Sequence, residues 1–152
     1  MEIKIQKLSG KAIIPTKMTK GSAAYDLFAP FDQIITHGRQ VIDLYLALEL
    51  PFGYEAKVEP RSGYASKGFV GALDNTQEPN IRFDCDVLLG KIDSDYRLGI
   101  GVIVNNRDRA FFIKRGQRIA QLTIYKVEEA KFTEVEKLSE TERTGGFGHT
   151  GN

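Results

Sequence analysis

The chain has no tryptophan, one cysteine (Cys85) and two widely separated histidines, His37 and His149, in 152 residues. A single thiol excludes an intrachain disulfide and favours a reducing compartment. The scarcity of Cys and His leaves no cluster at metal-ligand spacing. A Cys–His nucleophile pair has no local support. No Gly-x-x-x-x-Gly-Lys-Ser/Thr loop and no dinucleotide fingerprint occurs, so the common phosphate-binding motifs are excluded. No apolar run approaches the roughly 20 residues that span a bilayer, and "MEIKIQKL" lacks the apolar stretch of a secretion signal. Neither sign of charge is in excess: 21 Lys and Arg face 20 Asp and Glu, a net of +1. No overall field therefore draws the chain to nucleic acid or membrane, and any phosphate must be held by locally placed groups. These absences predict an intracellular, cytoplasmic protein (in the host cytoplasm if viral) with no nucleic-acid or membrane partner.

Hydrophobic residues make up 41% of the chain, enough at this length for one domain with a real core. "EIKIQKL" alternates apolar and polar residues, as a half-buried strand does. "VIDLYLALEL" does the same, placing Leu44, Leu46, Leu48 and Leu50 on one face. "YEAKVE", "IGVIVNN" and "AFFIKRGQRIAQLTIYK" continue the signal, with Pro and Gly interrupting at short intervals. No segment carries a long helical stripe with caps. "VEEAKFTEVEKL" fits either a helix or an alternating strand. Many short strands with regular turns predict an all-β sandwich or closed barrel.

Polar residues embedded in turn-like stretches carry the candidate chemistry. In "PRSGYASKG", Arg61 offers a bidentate fork to phosphate oxygens, Ser62 a hydroxyl, and Gly63 lets backbone N–H groups approach an anion. A solvated surface turn is the plain alternative. In "GKIDSDYRLG", Asp93 and Asp95 share a face of a regular strand while Tyr96 points away, so a common site for Asp93 and Tyr96 requires a turn or bulge. A carboxylate can orient and deprotonate water, and a tyrosine ring can pack on a sugar or base. An acidic β-turn is the competing reading. In "KRGQRIAQL", strand alternation puts Arg118, Ala120 and Leu122 on one face and Gln117, Ile119 and Gln121 on the other. Asp26, in the apolar "SAAYDLFAP", needs a partner if buried, and an arginine would serve. The terminal "RTGGFGHTGN" holds four glycines among ten residues. Its composition predicts a flexible arm over 141–152, following a domain over 1–140.

Each motif is weak alone, but "SAAYDL", "PRSGYA", "GKIDSDYR", "RGQRIAQL" and "RTGGFGHTG" resemble, in order, the five motifs of the trimeric dUTPases. The resemblance runs from Ser22 to Gly151. It implies a jelly-roll-like β-barrel, a homotrimer with active sites shared between subunits, and hydrolysis of dUTP to dUMP and pyrophosphate. That reaction supplies dUMP for thymidylate synthesis and keeps uracil out of DNA. The resemblance makes Asp93 the carboxylate that activates water for attack on the α-phosphorus. Tyr96 becomes the ring against deoxyribose. Arg61, Ser62, Gly63 and Gln121 become phosphate contacts, with Asp26 in support. Mg²⁺ is held mainly by substrate phosphates, with no direct protein ligand. The base is read by a β-hairpin just before Asp93, to which Gly90 and Asn75 are assigned. The terminal arm supplies Arg143, Phe147, Gly148 and His149 as a lid over bound nucleotide. His149 stands where the family has serine, and Leu98 intervenes where "DYR" is usually followed by glycine. The stretch around 76–88 looks like an insertion, part of it an excursion or flap. The plainest reading only extends the hairpin outward, and others admit a modified pyrimidine or a protein partner. A deoxycytidine-triphosphate deaminase on the same scaffold is the nearest rival.

Overall fold

The computed structural model describes residues 1–143 and Gly145. Strand β4 (Gly38–Glu49) organises the first sheet, pairing with β1 (Lys4–Lys7) on one side and β10 (Ile100–Asn106) on the other. Strand β8 (Cys85–Leu88) completes the order β1-β4-β10-β8. The second sheet runs β2 (Tyr25–Phe28), β12 (Arg118–Lys126), β5 (Tyr54–Glu59), β9 (Gly90–Ile92). Two short pairs, β3 (Gln33–Ile35) with β11 (Phe111–Ile113) and β6 (Phe69–Gly71) with β7 (Ile81–Phe83), finish the fold. All ladders are antiparallel. The sheets bury one apolar cluster in a jelly roll whose ladders stay open, with β1, β8, β2 and β9 as outer strands.

The alternation in β4 does what period-2 patterning dictates: Leu44, Leu46, Leu48 and Leu50 are all buried. The strand is nevertheless irregular. Opposite it, the β10 register jumps between Ile100 and Gly101, from Leu46 to Asp43. Tyr45 takes up the slack at φ 53°, and its N–H donates to Asp43 Oδ1 at 2.6 Å. A positive φ in an aromatic residue is strained and is held here by that Asx-type bond.

Two expectations change. Residues 81–88 hold β7 and β8, with Phe83, Cys85 and Val87 buried, so any excursion is confined to the tip of the β6–β7 hairpin. Leu73–Glu78 and Asn80 carry the exposure, with Pro79 partly covered. Pro79 and the charged residues mimic a loop in sequence because β7 and β8 are short and alternate Arg82, Asp84 and Asp86 outward. Beyond Lys126, neither the helix nor the strand expected of "VEEAKFTEVEKL" forms, and Phe132 and Leu138 stand exposed. An alternating strand needs a partner and a face to bury, and the single chain provides neither there. No helix among the described residues is long and apolar enough to cross a membrane.

Candidate active site

Pro60 cannot extend the β5 ladder, and the chain leaves the sheet there. Arg61, extended at φ −70°, ψ 142°, caps a single helical turn and a half, α1 (Ser62–Lys67). The first helical bonds run from the N–H groups of Tyr64 and Ala65 to Arg61 O. The N–H groups of Ser62 and Gly63 lie ahead of them, without an intrahelical acceptor. The turn expected around Arg61 is thus the start of a short helix. Tyr64 is buried and joins a column of rings: Tyr64–Phe69 at 4.4 Å, Phe69–Phe111 at 5.6 Å, and Phe111 stacked on Phe83 at 4.3 Å. That column fixes α1 against β6, β7 and β11.

Beside α1, β12 carries Gln121 between Asp26 on β2 and Glu59 on β5. A bulge lies between Arg118, opposite Phe28, and Ala120, opposite Leu27. It buries both Ile119 and Ala120 and turns Arg118 to the same pocket as Gln121. Strict alternation placed these two on opposite faces, so the bulge corrects that expectation. Asp26 is largely buried and satisfied by two guanidiniums: Arg61 Nε at 3.2 Å from Oδ1 and Arg118 Nη1 at 3.5 Å from Oδ2. The partner required of a buried carboxylate is present. Asp26, Arg61, Ser62, Gly63, Arg118 and Gln121 line one pocket of about 420 Å³.

Asp93 lies elsewhere. It directly follows β9 and opens a tight turn in which the Tyr96 N–H donates to Asp93 O at 3.1 Å. The Tyr96 hydroxyl donates to Gly99 O at 3.0 Å, and Arg97 Nη1 to Ser94 O at 2.6 Å. Leu98 is exposed beyond that turn. The turn required for Asp93 and Tyr96 to face a common ligand therefore exists. Asp93 and Ser94 line a second pocket of about 400 Å³, with Lys91 and Glu55 on its wall. Glu55 accepts from Lys91 Nζ at 2.6 Å and Lys57 Nζ at 3.2 Å. The Lys91 bond, aided by Lys57, holds its carboxyl below the usual range although burial pushes the other way.

The other sequence candidates disperse. Gly90 begins β9 and sits against Val58. An antiparallel hairpin does precede Asp93: β6 pairs with β7 across residues 72–80, and Gly90 lies after it at the start of β9. Asn75 is exposed, lines neither pocket, and its carbonyl accepts from Lys114 Nζ. Arg143 is exposed, with Nε donating to Gly145 O at 2.9 Å. Phe147, Gly148 and His149 lie outside the described residues. Sequence reading missed Arg82 and Gln117, which also line the first pocket. Gln117 Nε2 donates to the Tyr64 hydroxyl at 3.1 Å and to Val70 O at 2.6 Å. Only the pairing Val70↔Arg82 brings Arg82 there, and no local motif announces it.

Fold and site together define a class: a jelly-roll protein whose first pocket is lined by three arginines with amide and hydroxyl donors. The dUTPase family model matches residues 10–151, so the chain belongs to the dUTPase family. It is 44% identical to the deoxyuridine 5'-triphosphate nucleotidohydrolase of Nautilia profundicola, over 99% of both chains. It is 41% identical to that of Arabidopsis thaliana, over 97% of this chain and 82% of the plant protein. A dUTPase of Staphylococcus bacteriophage 80alpha solved with dUpNHpp shares the fold at a TM-score of 0.82 and 24% identity, over 99% of this chain and 98% of that one. The phage phi11 dUTPase, described with a structural Mg(II) ion, gives a TM-score of 0.75 at 21% identity, over 90% of this chain and 98% of that one.

Proposed function

We propose that the protein is a dUTP diphosphatase, converting dUTP and water to dUMP and pyrophosphate. The observation that carries this reading is the convergence of Asp26, Arg61, Ser62, Gly63 and Gln121 on one pocket. These residues come from three separated stretches of chain and match the family's phosphate-binding motifs. Arg61 and Ser62 bind phosphate oxygens, with the open N–H groups of Ser62 and Gly63 beside them. Gln121 adds a neutral donor. Asp26 keeps two guanidiniums in place, which spends one negative charge to orient two positive ones.

Asp93 acts as general base. Its carboxylate accepts a proton from water as the water oxygen bonds to the α-phosphorus. The bond from that phosphorus to the bridging oxygen breaks, and pyrophosphate leaves with the electron pair. Tyr96 packs against deoxyribose and leaves no space for a 2′-hydroxyl. The backbone of the hairpin before Asp93, with Gly90 closing it, reads uracil, and Asn75 offers its side chain to the uracil edge. Arg143, Phe147, Gly148 and His149 form a lid over the nucleotide and exclude bulk water.

Asp93 and the arginine pocket occupy separate pockets of one chain. We infer that the working site joins the Asp93 turn of one subunit to the arginine pocket of another, in a homotrimer. No group of three or more His, Cys, Asp or Glu that could hold a metal occurs among the described residues. Both Asp26 oxygens are already engaged by arginines. That donor set fits an Mg²⁺ ion carried in on the triphosphate, to which Asp26 and the pocket contribute through water. When bound, Mg²⁺ neutralises charge on the phosphate oxygens.

Pyrophosphate release from dUTP should greatly exceed that from dCTP, dTTP or UTP, and Asp93→Asn should remove nearly all of it. Rapid dUTP turnover by Asp93→Asn would sink the mechanism, and conversion of dCTP to dUTP would favour the deaminase.

A further inference from the structure

Three guanidinium groups line the phosphate pocket, and they are not equivalent. Arg61 and Arg118 share the Asp26 carboxylate. Arg82 pairs with no carboxylate among the described residues. Its Nη1 donates to the carbonyls of Gly68 at 2.9 Å and Gly63 at 3.4 Å. Those oxygens carry no net charge, and Nε and Nη2 have no protein acceptor among the described residues. Three cations against one carboxylate leave the pocket two positive charges in excess.

The placement of Arg82 is rigid at its base. Strand pairing sets Arg82 opposite Val70, and the neighbouring Phe83 is stacked in the buried aromatic column. Its Cζ lies 5.9 Å from the Tyr64 ring centroid, and that of Arg61 lies 5.5 Å from the same ring. The ring is buried and its hydroxyl is held by Gln117. One fixed aromatic platform thus carries both guanidiniums into a common anion pocket. The two carbonyl bonds orient the fork and leave one edge for a ligand.

We propose that Arg82 is a further substrate-binding residue, using the open edge of its guanidinium to hold oxyanions of the triphosphate. This rests on the first pocket being the triphosphate site. The alternative is a structural arginine that only ties the β6–β7 pair to α1. A segment that reads in sequence as an insertion would then supply part of the active site.

The test is calorimetric binding of inorganic tripolyphosphate, paired with dUTP kinetics, for wild type, Arg82→Gln, Arg82→Lys and Arg61→Ala. Gln keeps a donor for Gly68 O, and thermal unfolding monitors the β6–β7 pair. We expect Arg82→Gln to weaken tripolyphosphate binding about tenfold and raise KM for dUTP in parallel, as loss of a charge-assisted hydrogen bond would. kcat and Tm should change little, and Arg82→Lys should recover part of the affinity. Unchanged affinity in Arg82→Gln alongside clear loss in Arg61→Ala would overturn the role of Arg82 alone. Loss that follows a fall in Tm, with no recovery in Arg82→Lys, would make it structural and overturn the proposal. Wild-type affinity in Arg61→Ala would overturn the pocket reading and Arg82 with it.

Discussion

At the scale of single residues, Cys85 shows how burial silences chemistry. It lies 2% exposed at the start of β8, between the exposed carboxylates Asp84 and Asp86, which pair with Arg107. Burial pushes its thiol up to about 12, with the neighbouring Asp86 and Asp84 adding to the shift and Arg107 opposing it. A thiol held protonated is a poor nucleophile, in keeping with the lack of local support for a Cys–His pair. The linkage has a definite sign. The unfolded thiol ionises near pH ~8.5, below the folded value, so between these the folded chain binds more protons. Its contribution to stability is complete below the unfolded value and falls as pH rises through the alkaline range. In urea unfolding, Cys85→Ala should flatten this alkaline loss relative to wild type. An identical slope above pH 9 would contradict the assignment, and so would rapid labelling of the native thiol at pH 8.

Among the elements, the β6–β7 pair connects core to pocket. Gly71 sits where any Cβ would overlap the Phe111 ring, and Phe111 is fully buried and stacked on Phe83. Gly71→Ala should cost about 1–3 kcal/mol of stability as overpacking, read from the urea midpoint. It should also raise KM for dUTP by displacing the strand that bears Arg82. Unchanged stability would mean that the ring relaxes freely. How much of this was legible in sequence follows from where the information resides. The long strands β4, β5, β10 and β12 declare themselves by alternation, while the Arg61–Gly63, Asp93–Tyr96 and Gln121 stretches, each weak alone, stand out only through the ordered resemblance to a family. The β12 bulge is invisible to alternation because one extra residue preserves the apolar count while reversing which side Arg118 faces. Arg82 is invisible because its neighbours in space, Gly63 and Gly68, are joined to it by pairing across a turn rather than by spacing. The unpaired segment after Lys126 carries an apolar pattern that its own chain leaves uncovered.

For the whole molecule, the separation of Asp93 from the arginine pocket matters more than either site alone. If each site draws its water-activating turn and its phosphate pocket from different subunits, the two functions segregate genetically. A chain carrying Asp93→Asn keeps a sound arginine pocket, and one carrying Arg61→Ala keeps a sound Asp93 turn. Each should be inactive as a pure homotrimer. Co-refolded in equal amounts, they should regain about a quarter of wild-type turnover, the share of junctions that pair one intact half with the other. Activity no greater than the sum of the separate variants would place both halves of the site on one subunit. The same geometry makes defects contagious: a chain with both lesions, expressed beside the wild type, spoils junctions that intact copies would otherwise complete, so one bad allele costs more than its own dose.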